Sequence, residues 1–200
     1  MKYKIVLFDA DGVLLPKKFS FSEKLAEKYG MDFDRLQPFF KGPFADCRIG
    51  KADLKEELTR VLEEWGWKGT VEELMQFWFT EGTEVDPEVL AVATELRDQG
   101  VSVYMTTDQE KYRGASLRHR FGNEQPFQEI FTSSDIGCVK KDPGFFEQVY
   151  RALCEEQGII AKDQILLIDD GEDNIEVGKA FGFDTFLYKN LEDLKTFLAK

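Results

Sequence analysis

An α/β fold built on a parallel sheet and interrupted by a helical insertion is the architecture this sequence predicts, and three features predict it. Short apolar runs end in polar residues at 4–8, at 101–107 ("VSVYMTT") and at 164–170 ("QILLIDD"), as buried parallel strands do because both of their faces are covered. Amphipathic segments precede the later strands and feed them, which is the alternation that gives a right-handed parallel sheet. Residues 16–85 show helical periodicity and no convincing strand, so they read as an insertion between the first strand and the rest of the sheet.

Each element has its own warrant. Ile5, Val6, Leu7 and Phe8 form the first strand, and two aspartates, Asp9 and Asp11, follow it directly. The insertion contains "SEKLAEKYG", "KADLKEELTRVLEEWGW" and "TVEELMQFWFTEG". Trp65, Trp67, Phe77, Trp78 and Phe79 recur there at a spacing that suits packing. At 86–100, Val89, Leu90, Val92, Ala93 and Leu96 mark a helix, with Pro87 in its first turn and Gly100 as its stop. Segments 142–158 and 174–183 read as further helices, the second leading to a strand at "TFLY".

Composition narrows the function. The 200 residues include 38 acidic and 26 basic side chains, a net charge of −12, which disfavours binding to nucleic acid or anionic membrane. No run approaches a membrane span or a signal-peptide core, and three scattered cysteines, Cys47, Cys138 and Cys154, form no C-x-x-C pair. A cytoplasmic protein is expected, and oligomeric state is not readable. The lone His119 lies in a basic helical stretch and is assigned no role.

Ligands of parallel α/β sheets bind beyond the carboxyl ends of the strands, and this chain places its chemistry there. Thr107 ends the second strand, "GCVKKDPGFF" supplies Lys140 ahead of a helix, and "IDDGEDN" puts Asp169 and Asp170 at the end of another strand. Carboxylates with one lysine and one hydroxyl suit Mg²⁺-assisted phosphoryl transfer. Hard oxygen ligands hold the cation, and the lysine and hydroxyl neutralise phosphoryl oxygens.

With these segments in this order, the chain resembles the haloacid dehalogenase superfamily of hydrolases over nearly its whole length. "DADGVL" matches the first motif, D-x-D-G-x-[LVT]; "MTTD" stands at the second, with Thr107 in the hydroxyl position and Asp108 where Asn is usual. "GCVKKDP" matches the third at Gly137, Lys140 and Pro143, with Lys141 in place of the first Pro, and "LIDDGEDNIEVGKAFG" matches the fourth. Asp108 is expected to cap the helix "QEKYRGASLRHRFG".

The resemblance implies a Rossmann-like catalytic core at 1–15 and 86–200 with an α-helical cap at 16–85. It implies a Mg²⁺-dependent phosphatase acting on a small phosphorylated metabolite through an aspartyl phosphate. Asp9 would be the nucleophile and Asp11 the general acid and base; Thr107 and Lys140 would bind the phosphoryl group. Mg²⁺ would be held by the Asp9 carboxylate, the Asp11 carbonyl and Asp170, with Asp169 acting through water. Arg48, with Lys41 and Lys51, supplies the polar candidates of the cap. Asp11 argues against dehalogenation, since dehalogenases lack an acid there. A phosphomutase shares these motifs, and a non-catalytic binding protein with the same fold is the third reading.

Overall fold

The computed structural model describes residues 2–16, 21–80, 84–121 and 126–199. Strand β1 (Ile5–Phe8) is followed by five helices: α1 (Phe21–Tyr29), α2 (Phe33–Lys41), α3 (Pro43–Arg48), α4 (Leu54–Trp65) and α5 (Val71–Thr80). Then come α6 (Pro87–Asp98), β2 (Ser102–Thr107), α7 (Lys111–Phe121), β3 (Phe127–Thr132), α8 (Ser133–Ile136) and α9 (Pro143–Gln157). The chain closes with β4 (Ile165–Asp169), α10 (Glu172–Phe181), β5 (Asp184–Leu187) and α11 (Leu191–Leu198).

The five strands form one sheet in the order β3-β2-β1-β4-β5, every pair parallel. Chain order reverses beside β1, with β2 on one side and β4 on the other, so the crevice beyond the ends of β1 and β4 is the topological switch point at which such sheets bind ligands. Side chains alternate across β1. Val6 and Phe8 join α6, α7 and α11 in one core, whereas Ile5 and Leu7 pack with Phe145, Phe146, Val149 and Leu153 of α9 in the other. All four β1 residues are fully buried, which explains the unbroken apolar run in the sequence.

Helices α1 to α5 close on a third cluster of their own, including Leu36, Phe39, Trp65, Leu74 and Trp78. Phe21 stacks on Trp78 with ring centroids 4.2 Å apart, so the aromatic spacing in this stretch serves packing. The expected boundaries at 16 and 85 adjoin residues 17–20 and 81–83, which lie outside the described residues.

Strand β3 and helix α11 have no counterpart in the sequence reading. β3 lies at the sheet edge, where Gln128 and Glu129 face solvent and break the apolar run. Among the described residues no helix is long and apolar enough to cross a membrane.

Candidate active site

The polypeptide leaves β1 in a tight turn, with the Leu15 N–H donating to the Ala10 carbonyl and the Gly12 N–H to the Leu15 carbonyl, both at 2.8 Å. Gly12 has φ +92°, and a Cβ there would lie 2.1 Å from Oδ2 of Asp170. Glycine therefore meets two demands at once: a left-handed backbone and room for a carboxylate arriving from β4.

Asp9 follows β1 directly, its N–H donating to the Ile168 carbonyl at 2.9 Å, and the residue is 5% exposed. Lys140, fully enclosed ahead of α9, directs its ammonium to Asp9 Oδ1 at 2.8 Å and to Asp169 Oδ2 at 2.6 Å. The other oxygen of Asp169 accepts from the Gly171 N–H at 2.8 Å and the Asn174 amide at 2.9 Å. One oxygen from each of Asp9, Asp169 and Asp170 lies within 4.8 Å of the others. A cleft of about 470 Å³ bordered by Gly12, Asp170, Asp86 and Tyr188 opens beside them.

Burial pushes the Asp9 carboxyl above its ordinary range; the Lys140 ammonium opposes that rise and Asp169 adds to it. Burial alone would lower the Lys140 pKa, but the carboxylates of Asp9, Asp169 and Asp108 outweigh it and hold the ammonium above its ordinary value. The lysine is thus a fixed cation beneath the carboxylates.

The Asp11 carboxylate is directed to Gln109 and to Arg113 of α7. Arg113 Nη2 donates to its Oδ1 and the Gln109 amide to its Oδ2, each at 2.6 Å. Thr107 is buried at the end of β2, its hydroxyl 3.3 Å from the same Gln109 amide. The sequence reading missed Gln109 and Arg113, because 102 residues separate Arg113 from Asp11 and their sole linear mark is a basic helix after β2.

Asp108 is not the cap of α7. Its Oδ1 accepts from the Lys140 N–H at 2.9 Å and ties two loops together. Glu110, one residue before the helix, accepts instead from the N–H groups of Tyr112 at 2.8 Å and Arg113 at 2.6 Å. Asp108 stands too far ahead of Lys111 to reach the first turn.

Arg48, at the end of α3, approaches this region through its carbonyl, which accepts from Ser133 Oγ at 2.6 Å; the same hydroxyl lies 3.3 Å from the Gln109 carbonyl. The Arg48 Nε is buried without a hydrogen-bond partner. Lys41, Lys51 and His119 are exposed. Cys47 is enclosed, and burial pushes its thiol up to about 12, as for a cysteine packed in a core.

Residues 3–182 match the family model of haloacid dehalogenase-like hydrolases. Over 199 residues the chain is 26% identical to a curated D-ribitol-5-phosphate phosphatase of Bacteroides thetaiotaomicron, covering 95% of this chain and 94% of that one. It is similar to the crystal structure of a HAD family enzyme from that organism, with a TM-score of 0.79 at 22% identity over 99% of each chain. A second structure of that enzyme, in complex with magnesium and inorganic phosphate, matches at TM-score 0.74 and 21% identity, over 96% of this chain and 98% of that one.

Proposed function

The chain belongs to the haloacid dehalogenase-like hydrolases, and from that premise we propose that it is a Mg²⁺-dependent phosphatase that hydrolyses a small phosphorylated metabolite through an aspartyl phosphate. The observation that carries this reading is the convergence of Asp9, Asp169 and Asp170 oxygens within 4.8 Å at the switch point of the sheet. The relative that hydrolyses D-ribitol 5-phosphate supports a phosphate monoester as substrate, and the related structure with magnesium and inorganic phosphate supports the metal.

The donor set fits a hard divalent cation. All its members are oxygens, and Lys140 supplies one positive charge against three carboxylates. Asp9, Asp170 and the Asp11 carbonyl would hold the ion. Asp169 fits a supporting role, because Lys140, Gly171 and Asn174 already occupy both of its oxygens. When bound, Mg²⁺ supplies charge neutralisation at the phosphoryl oxygens.

Asp9 attacks phosphorus, forming the Asp9–phosphorus bond as the bond to the leaving oxygen breaks. Asp11 delivers a proton to that oxygen, then takes one from the water that attacks phosphorus, and the Asp9 carboxylate is regenerated as phosphate departs. Lys140 and Thr107 bind the transferring group, with Lys140 already held at Asp9. Residues 16–85 form a cap over a core of 1–15 and 86–200, and Arg48 contributes to substrate selection. Support for that division comes from the separate aromatic core of α1 to α5.

The test is phosphate release from a panel of sugar and polyol phosphates, D-ribitol 5-phosphate among them, and from 4-nitrophenyl phosphate. Turnover is expected to require Mg²⁺ and to fall at least about 10³-fold in Asp9→Asn. Wild-type rates in that variant, or in metal-stripped enzyme with EDTA, would refute the mechanism.

A further inference from the structure

We propose that Arg113 is a positioning residue, which together with Gln109 fixes the orientation in which the Asp11 carboxylate exchanges protons; this rests on the phosphatase reading above. An aspartate on a turn has two side-chain torsions to settle, and a proton donor works only within about 2.6–3.2 Å of its target. Here two donors grip the two oxygens separately: Arg113 Nη2 takes Oδ1 and the Gln109 amide takes Oδ2, both at 2.6 Å. Each oxygen retains a second lone pair for the leaving group or for water.

Both donors stand on constrained backbone. The Gln109 N–H donates to the Thr107 carbonyl at 3.1 Å, and its own carbonyl accepts from the Ser134 N–H at 3.2 Å. The Arg113 N–H is held by Glu110 at 2.6 Å. At the next position, Gly114, a Cβ would come within 3.0 Å of Thr132 Cγ2, so glycine lets the first turn of α7 press against the end of β3 and brings Arg113 within reach of Asp11.

The guanidinium accepts a cost to sit there. Its Nε is buried without a hydrogen-bond partner, and its side chain is 16% exposed. An unmade buried hydrogen bond is unfavourable, so packing alone gives no reason for this arrangement. A charge-assisted hydrogen bond from Nη2 to the Asp11 carboxylate does.

The step served is proton transfer to the leaving oxygen as the Asp9–phosphorus bond forms, so the effect depends on how much the leaving group needs that proton. Benzyl phosphate leaves as an alcohol and needs it; 4-nitrophenyl phosphate leaves as a stable phenolate. kcat/KM reports the steps through leaving-group departure.

In Arg113→Ala, kcat/KM for benzyl phosphate is expected to drop about 10- to 100-fold, part of the range that general acid catalysis supplies, with a loss under about threefold for 4-nitrophenyl phosphate. Arg113→Lys should restore part of the benzyl rate. In the Asp11→Asn background, Arg113→Ala should cost less than about twofold more, since a residue acting through Asp11 has nothing left to position. Arg113→Met, which keeps the aliphatic stem, replaces the alanine variant if that fails to fold by circular dichroism. Equal losses on both substrates, or full additivity with Asp11→Asn, would overturn the proposal while the phosphatase reading stands. Wild-type enzyme inactive on both substrates, or unaffected by Asp9→Asn, would overturn both.

Discussion

At position 12 two separate requirements meet in one hydrogen atom. The turn after β1 needs φ +92°, and the space where a Cβ would stand holds the Asp170 carboxylate. Gly12→Ala is therefore expected to impose backbone strain of about 1–3 kcal/mol and to push Asp170 aside. The Mg²⁺ concentration for half-maximal activity should rise about tenfold, in the range seen when the support of a metal ligand is lost, with Tm falling a few degrees; an unchanged Mg²⁺ response would remove Asp170 from the ligand set. The glycine was legible in the sequence as a family motif position, but its reason was not, because Asp170 is brought beside it by the pairing of β1 with β4. Lys140 shows the same division. Its motif marked it for the site, and the fold alone reveals that its ammonium bridges Asp9 and Asp169.

Helix α4 shows how one residue joins two packing units. Asp53 caps α4 by accepting from the Lys55 N–H at 2.8 Å and the Glu56 N–H at 3.2 Å, and it also receives the Tyr112 hydroxyl at 2.9 Å and the Lys111 ammonium from α7. Burial pushes its carboxyl up, but the bonds from Lys111, the Glu56 N–H and Tyr112 reverse this and hold it at about 2, against an ordinary 3.8. A carboxyl depressed on folding stabilises above its unfolded pKa and loses that contribution as pH falls through the folded one. Asp53→Ala should thus cost up to about 2 kcal/mol at pH 6, and the gap from wild type should narrow as pH falls from about 4 toward 2. Urea unfolding at several pH values checks this, and a gap independent of pH would show that the ionised carboxylate is not what joins α4 to α7. Element boundaries were legible where capping chemistry was strong, as at Asp86 with Pro87 for α6. They were not at α7, where a glutamate caps in the place expected of an aspartate.

Across the whole molecule, the order β3-β2-β1-β4-β5 brings the ends of β1, β2 and β4 to one rim, and the five helices after β1 approach that rim through α3 and α4. The Arg48 main-chain carbonyl accepts from the Ser133 hydroxyl there, one contact from Gln109, and the Arg48 side chain holds its Nε buried without a hydrogen-bond partner. As part of the proposed cap, Arg48 should influence which substrate is taken. Arg48→Ala is expected to change relative kcat/KM among natural phosphate esters by about tenfold or more, on the scale of one lost charged contact, while 4-nitrophenyl phosphate turnover changes less. Uniform loss over the panel would point to a general phosphate-binding or folding role instead.

By itself the sequence determined the parallel α/β class, the helical stretch after the first strand and the placing of Asp9, Thr107 and Asp169 at strand ends, because these are written locally. A strand buried on both faces must be apolar throughout, a helix must repeat near 3.6 residues, and reactive side chains must follow strand ends. The tertiary structure decided what those residues face. Asp108 bonds the Lys140 loop, Glu110 caps α7, and Arg113 with Gln109 holds Asp11. Such contacts join positions as much as 102 residues apart, and their geometry is set by strand register and helix approach, which leave no periodic trace in a linear chain.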